Sequence, residues 1–328
     1  MVERLLLLVN RSSGTGHRAA LVDQLANELR QVAGPVADLD VEVVDDHPTA
    51  RRVARWFVAS SPRPAALIVA GGGGTLRAAV EGVCDNAGRV LPGAGRIRLG
   101  ALRMGSGNVV ARRLGVARDS VEGIHGIAAS LRAGRTTACS VIRCRFGTAT
   151  GAEEVRYAVT MCGLGQLGRT PGDLARWHRR LETPRRAIAP LVGIERLNRV
   201  EYMLSAGGRM LASTIYPPRC ERVEVTVRGH SERFRLLAGA VMNFRISGMP
   251  DAGVGIDEAA VGVQLLPWGG RLRAWRLGFG EKLGVTLLDR NSIEFFLDED
   301  PEFAFGSLSL EVAGKLAFIR GSAQEVIA

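Results

Sequence analysis

Residues 67–75 read Leu-Ile-Val-Ala-Gly-Gly-Gly-Gly-Thr, a short β-branched apolar run that breaks straight into four glycines and a threonine. A helix-compatible segment, Leu76 to Val83, follows at once. The pattern predicts a buried strand, a tight turn without Cβ atoms and a helix start. Glycine lets backbone come close to a ligand, and N–H groups at a helix N-terminus favour negative charge. The Thr75 hydroxyl can reach a phosphate or cap the helix. Gly71, Gly72, Gly73, Gly74 and Thr75 are therefore the first candidate phosphate-binding residues. The competing reading is a plain strand-to-helix turn, which rarely uses four glycines in succession. No Gly-Lys-Ser/Thr follows, so the stretch is not a P-loop, and Leu76-Arg77 leaves no GxGxxG pattern.

Outward from this stretch, residues 1 to about 137 alternate strand and helix. Strand Leu5–Val9 leads to helix Gly16–Val32, Val41–Val44 to Pro48–Ser60, and Ala65–Ala70 to Leu76–Val83. Strand Ile97–Leu102 leads to a helix within Val109–Leu114, and another helix spans Ser120–Ala133. This order predicts a three-layer α/β domain with a mostly parallel sheet. In such sheets ligands lie outside the carboxyl ends of the strands, so the glycine-rich turns can converge on one crevice. Past Gly134 the pattern changes. Val141–Phe146, Arg156–Met161, Arg222–Val227, Phe234–Asn243, Gly262–Leu266 and Ile293–Leu297 read as strands. They predict a second, mainly antiparallel β-sandwich domain over residues 138–307. Asp173 to Val200 reads as a helical, arginine-rich insertion broken at Pro184 and Pro190.

The chain has 328 residues, enough for two ordinary domains, and 46% hydrophobic residues can bury real cores. Its net charge is +10, and only Lys282 and Lys315 among the 43 basic residues are lysines. That balance suits an acidic ligand, whether nucleotide phosphates, nucleic acid or an anionic membrane. High arginine from genomic base composition explains it equally well. No apolar run approaches the ~20 residues of a membrane span. Leu5–Val9 is too short for a signal-peptide core and follows Glu3. Cys84, Cys139, Cys144, Cys162 and Cys220 form no C-x-x-C pair, which predicts reduced core thiols in a cytoplasmic protein and no structural metal.

Three segments carry a family resemblance. Gly71-Gly72-Gly73-Gly74-Thr75 resembles the Gly-Gly-Asp-Gly-Thr signature shared by diacylglycerol, sphingosine and NAD kinases. Asn10-Arg11-Ser12-Ser13-Gly14, after the first strand, is similar to Asn-Pro-x-Ser-Gly. Leu102-Arg103-Met104-Gly105-Ser106-Gly107-Asn108-Val109-Val110-Ala111-Arg112 is similar to Leu-Pro-x-Gly-Thr-x-Asn-Asp-hydrophobic-Ala-Arg. Together, in this order, they resemble the diacylglycerol kinase-like lipid kinases more than the NAD kinases. The resemblance implies ATP and Mg2+ as cofactors, with Asn10, Ser13, Gly14, Gly71, Gly72, Gly73, Gly74, Thr75, Gly105, Ser106 and Asn108 around the nucleotide. It also implies that the last strands, from about Leu308 to 328, return to the first domain.

Downstream, Phe296-Leu297-Asp298-Glu299-Asp300-Pro301 looks like the family's Leu-Asp-Gly-Glu-Pro, whose aspartate takes the proton from the lipid hydroxyl. Asp298 holds that position, and an acid at a strand end suits the role. An acidic hairpin turn, solvated and inert, is the other reading. Met249-Pro250-Asp251-Ala252 with Asp257-Glu258 resembles a further family segment. Several family acids are replaced. Gly73 stands for the signature aspartate, Ala78 for a glutamate on the following helix and Val109 for the aspartate after Asn108. Leu167 stands for the aspartate of Gly-x-Gly-x-Asp-Ala in Gly163-Leu164-Gly165-Gln166-Leu167-Gly168. Phosphoryl transfer depends on neutralising negative charge, usually through carboxylate-held magnesium. Three functions therefore stay open: an active lipid kinase, a catalytically degenerate relative that binds nucleotide or lipid in a regulatory role, and an NAD kinase-like enzyme, which the residues around Asn108 and Asp298 resemble less. The partners implied are a nucleotide, a lipid and, peripherally, an anionic inner membrane face reached through the arginine-rich segment; a packed, solvated helix is the alternative there. A homodimer is compatible with this reading, and nucleic acid is not an expected partner.

Overall fold

The structure, a computed structural model, describes residues 2–13, 19–33, 38–84, 93–105, 108–181, 194–217, 220–246, 249–251, 253–298 and 300–322. The chain is mixed α/β and divides into two compact units. The first holds residues 1–141, 256–258 and 313–328; the second holds 142–255 and 259–312.

In the first unit, β1 (Arg4–Asn10) lies between β2 (Asp38–Val44) and β3 (Ala65–Gly71), and β3 pairs with β4 (Ile97–Arg103), all in parallel. β3 is buried at every position and β1 at all but Arg4, as expected for strands covered on both faces. β2 alternates apolar with acidic residues and is mostly half-buried, which fits the edge of the order. Helix α1 (Ala19–Ala33) packs with α5 (Ser120–Arg132), and His125 Nε2 lies 2.6 Å from Glu28 Oε2 across that contact. Helix α2 (His47–Ser60) packs with α3 (Gly73–Val83). Gly82 permits this approach, since a Cβ there would collide with the Arg51 carbonyl. α2 starts where Asp46 accepts the Thr49 N–H at 2.7 Å, and α5 where Asp119 accepts two N–H groups at 2.9 and 3.0 Å. A short helix, α4 (Val109–Arg113), follows β4.

In the second unit β5 (Thr136–Gly147) pairs with β6 (Glu153–Ala158), and β7 (Met161–Leu164) follows. Strands β8 (Glu221–Val227), β9 (His230–Met242), β10 (Ala260–Pro267), β11 (Arg273–Gly278), β12 (Lys282–Leu287), β13 (Ser292–Leu297) and β14 (Asp300–Ile319) complete an antiparallel sheet. Helices α6 (Gly165–Gly168), α7 (Thr170–Arg180) and α8 (Ile194–Ile215) lie between β7 and β8. The core includes Ile142, Cys144, Val223, Leu265, Phe295 and Leu310. The end of β14 lies in the first unit and pairs in parallel with β4, Ala317 opposite Arg98 and Phe318 opposite Leu99.

Three strand assignments need correcting. The run expected as one strand, Arg156–Met161, is broken at Val159–Thr160 into β6 and β7. β11 and β12 were missed, because Arg273 and Arg276 in β11 and Lys282 and Gly284 in β12 interrupt the apolar pattern. The first part of β14, from Asp300 to Ser307, was not expected as a strand; Gly306 within it has a φ of +73° and looks like a turn residue in sequence. The described part of the arginine-rich insertion is α7 and α8, while Pro184, Arg185, Arg186, Ile188, Pro190 and Leu191 lie outside the described residues. All five cysteines are buried thiols, and burial pushes the Cys139 thiol up to about 12.

Candidate functional site

Three turns at the carboxyl ends of β1, β3 and β4 meet. Asn10 closes β1: its Oδ1 accepts the Ser12 N–H at 2.9 Å, and its carbonyl accepts the Ser13 N–H at 3.2 Å. Its Nδ2 then donates 2.8 Å to Thr75 Oγ1. Ser13 Oγ accepts the Gly72 N–H at 3.3 Å and lies 3.4 Å from Thr75 Oγ1. On the third turn, Asn108 Oδ1 accepts the Gly105 N–H at 3.0 Å and Nδ2 donates back to the Gly105 carbonyl. Asn108 does this in the left-handed region, φ +48°, which asparagine tolerates better than most residues. Asn10, Thr75 and Asn108 are all buried, so these polar groups are spent on one another.

The glycines divide into two kinds. A Cβ on Gly105 would collide with the Cα of Gly72, and one on Gly71 would lie 2.7 Å from Thr75 Cβ and Oγ1. Both glycines are required for the turns to pack. A Cβ on Gly72 would sit 3.5 Å from the Gly105 Cα, an ordinary contact, at an unstrained φ of −87°. Packing therefore does not account for glycine at 72. Gly72 is also the N-cap of α3, and it offers no side-chain capping bond. The first-turn N–H groups at Gly73 and Gly74 have no intrahelical acceptor, so the end of α3 presents donors to an anion. Thr75 does not cap the helix. It sits inside the first turn, 1% exposed, with its hydroxyl taken by Asn10. Gly14 and Ser106 lie outside the described residues.

The cradle residues Asn10, Ser13, Gly71–Thr75, Gly105 and Asn108 include no carboxylate. No group of three or more His, Cys, Asp or Glu that could hold a metal exists among the described residues. The residues present thus fit a phosphate and do not fit a carboxylate-held magnesium ion.

Asp298 belongs to the second unit, in the two-residue turn between β13 and β14, where Leu297 pairs with Asp300. It adopts φ +50°, as tight hairpin turns require. The acidic hairpin is present, but Asp298 is not solvated: it is 4% exposed. Its carboxylate accepts three backbone N–H groups, from Val159 at 2.6 Å, Thr160 at 2.7 Å and Met161 at 3.0 Å. Its own N–H donates to the Met161 carbonyl at 3.0 Å. Asn243 reinforces the same break, donating Nδ2 to the Val159 carbonyl at 2.8 Å and its backbone N–H to the Thr160 carbonyl at 3.1 Å. The interruption between β6 and β7 is thus the receptor for Asp298. Sequence reading missed it because Val159 and Thr160 are good strand formers.

Of the replaced acids, Leu167 has a structural explanation. Leu167 is buried with Met161, Met242 and Phe296, so its position now fills core. Gly165 has a φ of +62°, and a Cβ on Gly168 would lie 2.8 Å from the Glu294 and Gly163 carbonyls, so this segment's glycines serve packing. In the arginine-rich insertion, Arg169 pairs with buried Glu221, and both Arg176 and Arg209 pair with Asp173. Burial raises the Asp173 carboxyl, but the hydrogen bonds from Arg209 and Arg176 outweigh it and hold it below its usual range. Arg179 and Arg180 are exposed.

Residues 4–144 match the diacylglycerol kinase catalytic domain model, a span that includes all three turns. No curated protein matches the chain in a sequence search. Solved structures match nearly its whole length. One assigned as a diacylglycerol kinase from Bacillus anthracis str. Sterne has a TM-score of 0.67 at 16% identity, covering 97% of this chain and 95% of that one. A second from the same organism has a TM-score of 0.60 at 14% identity, covering 97% of each chain. Likeness at this identity establishes the shared fold. Residues 4–144, with their three matching turns, are thus similar to the diacylglycerol kinase catalytic domain.

Proposed function

We propose that the protein is an ATP-dependent lipid kinase that transfers the γ-phosphoryl group to the hydroxyl of a diacylglycerol-like or sphingoid lipid. The observation that carries this reading is Gly72, a glycine that packing does not require, at the uncapped start of α3 between the Ser13 and Gly105 turns. A phosphate placed there meets N–H donors and no side chain. Asn10, Thr75 and Asn108 hold the turns in register and act on the nucleotide by positioning these donors. Asp298 is the candidate base. Three backbone N–H groups hold its carboxylate in one fixed orientation, the positioning that a base acting on a lipid hydroxyl needs. Magnesium, which the family resemblance implies, has no carboxylate set in the cradle, and no step is assigned to it.

That Asp298 geometry, together with Gly73 and Val109 in place of acids, favours a second reading: a nucleotide or lipid binder with little turnover. Transfer of labelled phosphate from Mg-ATP to a panel of diacylglycerols and sphingoid bases separates the two. Label in a phospholipid product supports the kinase. Calorimetric binding of Mg-ATP without transfer to any lipid supports the binder, and absence of both removes the cradle from the account.

A further inference from the structure

Helix α8 carries its polarity the wrong way round for a helix in water. Of its charged residues with described side chains, Glu201 pairs with His178 at 2.8 Å, and Arg209 donates to Asp173 at 2.6 Å, both on neighbouring α7. Tyr202, Ala206 and Met210 pack on the cluster that holds Met161, Met242 and Phe296. The intervening positions face outward: Val200, Met203, Leu204, Leu211 and Ile215 are 50–77% exposed. Gly207 and Gly208 continue the stripe, with nothing within 4 Å of a Cβ on either. About four turns of exposed surface therefore carry no charge among the described side chains. A water-facing helix shows the reverse pattern, and a contiguous apolar surface marks a partner or a lipid phase.

The surroundings choose between these. Trp177 and Leu181 are exposed on α7; Tyr216 is exposed at the end of α8. Trp268, also exposed, is fixed to that end by Nε1 donating to the Thr214 carbonyl at 3.2 Å. Tryptophan and tyrosine, apolar bodies with polar tips, favour the headgroup level of a bilayer. Arg179 and Arg180 are exposed where α7 ends. A second copy of the chain would bring the same positive charges to this face, whereas an anionic lipid surface complements them. No described helix is long and apolar enough to cross a membrane, so the contact is peripheral.

We infer that the outward face of α8 is the surface by which the protein sits on an anionic bilayer. Its apolar side chains enter the headgroup boundary, and Arg179 and Arg180 meet lipid phosphates. The choice of lipid over a protein partner rests in part on the lipid kinase reading above. Arg179 and Arg180 thus act at the rim, and the outward apolar face of α8 provides the depth.

Co-sedimentation with vesicles of equimolar phosphatidylcholine and phosphatidylglycerol tests this. The wild type binds and binds less at high salt. Leu204→Gln with Leu211→Gln weakens binding about tenfold or more at an unchanged circular dichroism spectrum. Brominated acyl chains quench the wild-type tryptophan fluorescence, and Trp177→Phe removes part of the quenching, a readout that does not depend on the double variant folding. Equal binding by wild type and double variant, no quenching, or a concentration-dependent dimer lost in the variant without vesicle binding overturns the inference. Phosphoryl transfer to detergent-dispersed diacylglycerol keeps the two claims apart. Vesicle binding through α8 without any transfer sinks the kinase reading alone. Transfer in detergent without vesicle binding sinks the docking face alone.

Discussion

The cradle and the Asp298 turn are two buried polar knots that solve opposite problems. In the cradle, side chains satisfy side chains, Asn10 with Thr75 and Ser13 near both, and the N–H groups that open α3 remain uncapped. In the Asp298 turn a carboxylate consumes three N–H groups of its own unit. The first arrangement leaves donors over for a ligand; the second uses them up. A resemblance in sequence alone treats both as catalytic parts. The hydrogen bonds distinguish a turn that leaves backbone donors open from one that holds its own unit together.

The largest expected effect comes from Asp298→Ala. It leaves three buried N–H groups without an acceptor and puts alanine at positive φ, at a cost on the order of 4 kcal/mol by urea denaturation. A loss below about 1 kcal/mol would mean that other acceptors reach Val159, Thr160 and Met161, and the contrast between the knots would fail. Asp298→Asn tolerates the same φ but aims an amide N–H at one of the three donors, so its loss is intermediate. If it folds and transfers phosphate at the wild-type rate, Asp298 is structural only.

Next in size is Gly105→Ala, whose methyl is driven into the Gly72 Cα. The turns must separate, which costs about 1–3 kcal/mol and removes Mg-ATP binding together with stability. Thermal melting and calorimetric titration report the two losses side by side. Unchanged binding in this variant would show that the meeting of these turns is not what binds nucleotide.

Gly72→Ala sharpens the point, because its Cβ has room. Stability changes by no more than about 0.5 kcal/mol, while nucleotide affinity falls, since the methyl occupies the approach to α3. Affinity equal to wild type would place the phosphate elsewhere. Stability moves the other way in Gly73→Asp, at the first position of α3. A carboxylate there gains about 0.3–1 kcal/mol from the positive helix end. If a missing acid limits turnover, the same change raises the kinase rate by about tenfold or more. A folded Gly73→Asp protein with an unchanged rate would show that turnover is limited by something other than this acid.

Sequence by itself determined the alternating first unit, because buried parallel strands such as Ala65–Gly71 must be continuously apolar and their helices periodic. It also located the three turns, since a tight strand-to-helix connection leaves a glycine and asparagine signature in one dimension. It could not say why each glycine is there. Gly71 answers to packing against Thr75 and Gly105 to packing against Gly72, some thirty positions away, while a Cβ on Gly72 itself has room, and only the folded turns show this. Strands β11 and β12 were hidden because Arg273, Arg276 and Lys282, with Gly284, interrupt their apolar pattern. The burial of Asp298 and the outward apolar face of α8 were likewise decided only in three dimensions. A carboxylate becomes inert or reactive, and an apolar residue core or interface, according to which neighbours the fold brings to it, and those neighbours lie far away in sequence.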